Sequence, residues 1–251
     1  MDFQKLKKQW LAEENTFFQG WDFSHLKGRW QHDSLSWDYD NIVRSYRQKS
    51  DNLLDMGTGG GEFLLSLEHP YELTYVTEAY PPNVEHCEKV LAPLGITVKQ
   101  VFDDNKLPFE CGFFDIVINR HESFDVQEVH RILKPQGIFI TQQVGSEQGI
   151  DLRRALMPDA PYQPANHQLS NNVKIVKSQG FEILMKGEEF PITRFYDIGA
   201  IVYYAKAIEW ELPSFSVEKY FPQLCDMQRQ IKEKGSIENQ EHRFFIVARK
   251  G

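Results

Sequence analysis

The stretch LLDMGTGGGEF, Leu53 to Phe63, decides how the rest of this sequence is read. An apolar run ends at Asp55 and Met56, four of the five residues from Gly57 to Gly61 are glycine, and apolar residues resume at Phe63 after Glu62. A short buried strand, bare backbone and then a helix make the strand-to-helix turn of an open α/β sheet. Ligands bind at the carboxyl edge where that turn lies, near the point where strand order reverses. Glycine there admits φ > 0 and lets a ligand approach without a Cβ in the way. A dinucleotide-binding turn would place the third glycine of G-x-G-x-x-G at position 62, which is Glu62, and a carboxylate there repels a pyrophosphate. A P-loop fails as well, since no G-K-S/T follows.

Outward from the turn, residues 51 to 144 alternate short β-rich runs with helical patterns, as βαβ units around a mainly parallel sheet do. Strands are expected at Asn52–Met56, Glu72–Thr77, Ile96–Phe102, Phe113–Asn119 and Gly137–Val144. Between them, Pro82 opens a helix whose apolar positions Val84, Cys87, Val90, Leu91 and Leu94 recur at helical spacing, with Gly95 as the stop. Asp125 and Glu128 have the spacing of a capping box ahead of Val129, Ile132 and Leu133, and Lys134-Pro135 ends that helix.

The flanks follow a different pattern. Residues 1 to 50 are rich in charge and tryptophan (Trp10, Trp21, Trp30, Trp37) and read as helices and loops. Residues 145 to 168 carry Pro158, Pro161 and Pro164 and read as an irregular connection. A helix near Leu169–Gln179 leads into a strand at Phe181–Phe190. Helices near Tyr196–Ile208 and Val217–Lys234 precede a final strand at His242–Lys250.

The chain has 251 residues, enough for one large α/β domain with a modest lid. Cys87, Cys111 and Cys225 lie far apart with no C-x-x-C pair, which suggests neither a disulfide framework nor a zinc site, and no metal is expected. The N-terminal residues mix charges without an apolar core, and the eight residues Ile198 to Ala205 are among the longest apolar runs, so a cytoplasmic protein with no membrane partner is expected. The net charge of -8 argues against nucleic acid as a partner, because non-specific affinity for it comes from Lys and Arg neutralising phosphates.

The glycine turn resembles motif I of the class I S-adenosylmethionine-dependent methyltransferases, whose acid-x-G-x-G-x-G core is met by Asp55, Gly57, Gly59 and Gly61. The resemblance continues in Glu78, which matches the family's ribose-binding acid, and in Asp103-Asp104-Asn105-Lys106-Leu107-Pro108-Phe109, similar to the acid-x-x-x-L-P-F pattern after the third strand. There Asp103 aligns with the acid that receives the adenine amino group, and Asp104 stands where a small residue is usual, so either can be that acid. FFDIVINRHES and EVHRILKPQGIFI resemble the fourth strand, the next helix and the L-K-P-x-G turn into the fifth strand. The match covers residues 45 to 145 and is close to the type 11 group.

The resemblance implies a doubly wound, Rossmann-like α/β fold with a seven-stranded sheet in the order 3-2-1-4-5-7-6 and an antiparallel last strand, for which Phe244–Arg249 is the candidate. It implies S-adenosyl-L-methionine as cofactor, held by Asp55, Gly57, Thr58, Gly59, Gly61, Glu78, Ala79, Asp103 or Asp104, and Asn119. On this reading residues 1–251 are one methyltransferase domain, with a cofactor-binding core at 45–145 and helical caps at 1–40 and 191–240 over the carboxyl edge.

Methyl transfer from a sulfonium asks a protein mainly to align the acceptor and exclude water. Arg120, His121 and Glu122 follow the fourth strand and are the catalytic candidates, His121 as a general base and Arg120 as an anchor for an acidic acceptor. Asn119-Arg120-His121-Glu122 is not the N-P-P-Y-like tetrapeptide of exocyclic base methylation, and no cysteine follows a proline as cytosine C5 chemistry requires. An O-, N- or C-methyltransferase for a small-molecule acceptor is expected. Trp30, Trp37, Phe195, Tyr196, Tyr203, Tyr204 and Trp210 are candidates to line its pocket. The alternatives are an RNA methyltransferase, a non-catalytic cofactor-binding module and, more weakly, a nicotinamide oxidoreductase.

Overall fold

The computed structural model describes residues 2–18, 22–159 and 166–251; Trp21, Pro161 and Pro164 lie outside them. In chain order the helices are α1 (Phe3–Glu14), α2 (Tyr39–Tyr46), α3 (Glu62–Ser66), α4 (Pro81–Val90), α5 (Val126–Ile132), α6 (Ile150–Leu156), α7 (Leu169–Ser178), α8 (Ile198–Ala207) and α9 (Phe221–Lys234). The strands are β1 (Trp30–His32), β2 (Leu53–Met56), β3 (Thr74–Glu78), β4 (Thr97–Gln100), β5 (Phe114–Arg120), β6 (Leu133–Val144), β7 (Phe181–Glu189), β8 (Ile192–Phe195), β9 (Ile237–Gln240) and β10 (Arg243–Lys250). They divide between two compact units.

One unit comprises residues 36–145, 166–189 and 243–251. Its seven-stranded sheet has the order β4-β3-β2-β5-β6-β10-β7, parallel from β4 to β6, with β10 antiparallel to both neighbours. This is the expected doubly wound order, with the final strand reversed. Successive side chains of a strand point to opposite faces, and the core follows that alternation. Leu54, Val117 and Phe139 pack with Val129 of α5 and Val173 and Val176 of α7. Leu53, Ile116, Ile118 and Ile140 pack with Val43 of α2, Leu64 of α3 and Cys87 of α4. Two buried faces explain why the central strands read as continuous apolar runs.

The ends of elements refine the expectations. Asp125 caps α5, accepting from the amides of Gln127 and Glu128 at 2.8 and 2.9 Å. Glu128 does not complete the capping box: its carboxylate pairs with Arg131 at 2.7 Å and accepts from the Leu107 amide at 2.8 Å. Lys134-Pro135 lies inside β6 and not before it. The strand begins at Leu133 and takes an irregularity where Gln136 adopts φ +67°, with Lys134 paired to Asp115 at 2.7 Å.

The other unit comprises residues 1–35, 146–165 and 190–242. Among its described residues, β1, β8 and β9 form an antiparallel sheet, with α1, α6, α8 and α9 around a core that includes Trp10, Ile201, Tyr203 and Leu224. Asp197 caps α8 through the Ala200 amide at 2.8 Å and holds Arg29 at 2.6 Å, and Arg29 also pairs with Glu13 at 2.9 Å. The helices expected near Tyr196–Ile208 and Val217–Lys234 are α8 and α9, slightly shorter. The connection expected to be irregular holds α6. The three-stranded sheet is absent from the sequence reading, because strands of three or four residues are too short to show a period and their partners lie far apart in the chain.

Several aromatics proposed for a pocket have other duties. Phe195, Tyr203 and Tyr204 are buried in this second core, while Tyr196 and Trp210 are exposed. Trp37 belongs to the first unit, where its ring sits 4.9 Å from that of Phe245.

Candidate functional site

The glycine loop joins β2 to α3 at the carboxyl edge of the first unit's sheet. Its amides are fastened to β3: Gly57 and Thr58 both donate to the Thr77 carbonyl, at 3.0 and 3.2 Å. Gly57, Gly59 and Gly61 take φ of +69°, +63° and +84°, a region that side-chain-bearing residues rarely occupy. Two of these positions differ in what surrounds them. A Cβ on Gly57 would run into Cγ of Glu122, whereas a Cβ on Gly59 would meet nothing within 4 Å. The bare face of Gly59 is therefore a cradle that the described protein atoms leave open.

Glu78 is buried at the end of β3 and binds the loop directly. Its Oε2 accepts from the Gly59 amide at 2.9 Å, and Oε1 accepts from the amides of Ala79 and Tyr80, both at 2.9 Å. Asn83 adds a long contact at 3.4 Å. A carboxylate offers about four acceptor positions, so at most one is left for a ligand hydroxyl. Behind the loop, the Cys87 thiol donates to the Gly59 carbonyl at 3.2 Å, and burial pushes its pKa up to about 11.

Asp55 is 4% exposed, one residue from the end of β2. Burial raises its pKa to about 7, opposed by the Thr58 hydroxyl and by the charge of Arg120, and Glu78 adds to the rise. Such a carboxylate is short of positive charge. Glu122, half-buried against Gly57, is also pushed up by burial, with its bonds to Ser123 lowering it and Asp104 and Glu78 raising it. Asp104 accepts from the Ser123 hydroxyl, which also lies 3.2 Å from Glu122. Asp103 is exposed and bonds only its local turn, through the Asn105 amide at 3.1 Å. Of the two acids left open by sequence, Asp104 is the one the structure joins to the loop after β5.

The end of β5 and that loop carry the catalytic candidates. Arg120 lies over the Phe63 ring at 4.6 Å. His121 takes φ +61° and its amide donates to the Gln142 carbonyl at 2.8 Å. Asn119, expected to meet the cofactor, is completely buried beneath the loop. Its Oδ1 accepts from Thr141 at 2.9 Å and Gln143 at 2.6 Å, and its Nδ2 donates to the Ser123 carbonyl at 3.2 Å. Gln143 reaches the Glu122 carbonyl at 3.0 Å, and the Tyr39 hydroxyl donates to the Asn119 carbonyl at 3.0 Å. Sequence reasoning missed Thr141, Gln142 and Gln143. Their signal was there: three consecutive polar residues follow the apolar run Ile138–Ile140.

Residues 54–141 match the family model described as a methyltransferase domain. This core is similar to that methyltransferase domain. Solved structures share its fold across most of the chain. A candidate sarcosine dimethylglycine methyltransferase from Galdieria sulphuraria is 17% identical with a TM-score of 0.52, the match covering 84% of this chain and 83% of that one. A geranyl diphosphate methyltransferase solved with GPP and sinefungin is 12% identical with a TM-score of 0.51, covering 84% and 77%. The cyclase SpnF is 17% identical with a TM-score of 0.50, covering 88% and 87%. No protein of curated function matches the sequence. Among the described residues, no helix of either unit is long and apolar enough to cross a membrane.

Proposed function

We propose that the protein transfers a methyl group from S-adenosyl-L-methionine to an O, N or C atom of a small-molecule acceptor. The observation that carries this reading is the acidic surround of the glycine loop: Glu78 holds the Gly59 amide, Glu122 stands against Gly57, Asp55 feels the charge of Glu78, and Asp104 acts on Glu122, while the face of Gly59 stays open. A phosphate-bearing cofactor would be repelled there. A ligand with a sulfonium, an ammonium and hydroxyls fits it, because Asp55 is short of positive charge and Glu78 keeps an acceptor position.

Bound there, the cofactor would supply an electrophilic methyl group with a good leaving group. The chain's own residues would then do three things. Glu78 and the loop amides hold the site in shape, with Asp104 or Asp103 as the outer acid. Asp55 balances positive charge from beneath the loop. Arg120, His121 and Glu122 face the acceptor, Arg120 offering a planar anchor for an acidic group.

We assign acceptor selection to the second unit, whose segments are inserted in the sequence after Gly145 and Glu189. Since a cyclase shares the fold, turnover has to be measured rather than taken from the fold. Calorimetry with S-adenosylmethionine, its demethylated product and NADH is the test, followed by methyl transfer to a metabolite panel. Binding of the first two and not of NADH is expected; NADH binding alone would overturn the reading.

A further inference from the structure

The loop after β5 is controlled by a chain of three side chains in which every donor is fixed by chemistry. Trp37 Nε1 donates to Gln142 Oε1 at 2.8 Å. Indole nitrogen is a donor only, so the atom it meets is the carboxamide oxygen and the amide cannot be turned over. The Gln142 nitrogen therefore points the other way, and it lies 3.1 Å from Nε2 of His121. A carboxamide nitrogen carries only hydrogens, so Nε2 must accept. A neutral imidazole that accepts at Nε2 carries its proton on Nδ1.

The relay is firmly seated. Gln142 is 7% exposed, and the Trp37 ring packs on Phe245. The Gln142 carbonyl also takes the His121 amide at 2.8 Å, so one residue grips both backbone and ring of a histidine held at φ +61°. Non-glycine residues in that region persist where the surroundings over-determine them, and they cluster at functional sites.

We propose that Trp37 and Gln142 are positioning residues that lock His121 as the Nδ1–H imidazole, so that it does not serve the site as the general base. While the relay stands, the Nε2 lone pair is occupied and Nδ1 already bears a proton, so the ring has no position from which to abstract one. A proton released on methyl transfer then passes to another group, such as the Glu122 carboxylate one residue along, or the acceptor arrives without one. The role of His121 towards the acceptor rests on the methyltransferase reading; its tautomer does not.

Two measurements test the proposal. The first is a long-range nitrogen–proton NMR spectrum of the full chain without any ligand, with the His121 signals identified by their loss in His121→Asn. The expected pattern is a protonated Nδ1 and an unprotonated Nε2. Gln142→Glu replaces the donor with a carboxylate and should invert the pattern, and Trp37→Phe should leave a mixture of the two. A wild-type ring protonated at Nε2, or a pattern indifferent to Gln142→Glu, would overturn the tautomer assignment.

The second measurement uses turnover once an acceptor is found. Neither asparagine nor alanine can take a proton, so His121→Asn and His121→Ala should both keep turnover within about tenfold of wild type. A loss on the order of a hundredfold or more in both variants with the fold intact would make His121 the base after all. Failure to bind cofactor would end the methyltransferase reading and leave the NMR result standing.

Discussion

The glycine loop after β2 is fixed by backbone donors, whereas the loop after β5 is fixed by side chains. Thr77, Glu78 and Cys87 hold the first through its own amides and carbonyl, so its shape depends on the glycines and on one acid. Asn119, Thr141, Gln142 and Gln143 hold the second, so its shape depends on which side chains stand on two adjacent strands. Backbone-held loops keep a ligand site constant. Side-chain-held loops can be retuned by substitution, which suits the half of an active site that must match an acceptor.

The comparison breaks first at Glu78. Its carboxylate binds three amides on two segments, and charge-assisted bonds contribute about 1.5–3 kcal/mol each. Glu78→Ala should weaken cofactor binding by roughly tenfold to a hundredfold by calorimetry, and Glu78→Gln should recover part of it. Unchanged affinity would show that the loop keeps its shape without the acid.

Next comes Asn119, the corresponding anchor of the other loop. Asn119→Ala leaves the Thr141 hydroxyl and Gln143 amide buried without their shared acceptor, at a cost of about 1–3 kcal/mol. Urea unfolding should register that loss. Cofactor affinity should change less than in Glu78→Ala, and equal losses would mean that the two loops are not separately held.

The smallest effect sharpens the picture through pH. Folded Asp55 keeps its proton up to about pH 7, whereas an unfolded aspartate releases it near 3.8. Between those values the folded chain binds more protons, so this residue makes stability fall as pH rises and leaves a penalty above pH 7. Asp55→Asn, neutral throughout, should melt a few degrees higher than wild type at pH 8 and show no such gain near pH 4. The opposite trend would mean that Asp55 is already compensated in the folded chain.

How far the molecule can be read from its sequence follows the same division. Asp55, the three glycines and Glu78 lie close to one another in the chain, and their spacing alone signals the loop and the strand order around it. Asn119 looks like a ligand contact from its place at the end of a strand. Only the fold shows that Thr141 and Gln143, on the neighbouring strand, have drawn it into the interior. Glu128 has the spacing of a capping box and is taken instead by Arg131, a charged partner one turn along the same helix. The sheet of β1, β8 and β9 stayed hidden because each strand is too short to carry a period of its own.

The position of β10 has a consequence for how the chain is made. It follows β7 in the chain only after residues 190–242, yet it pairs with β6 on one side and β7 on the other. Until residues 243–250 emerge, both of those strands carry an open edge, and open edges invite pairing with other chains. The first five strands can zip together during synthesis. The joining of β7 to the sheet through β10 has to wait for residues 190–242, so this end of the sheet folds late and through distant contacts, which are the slow ones. A newly made chain thus passes through a stage in which β6 and β7 are made but not yet joined.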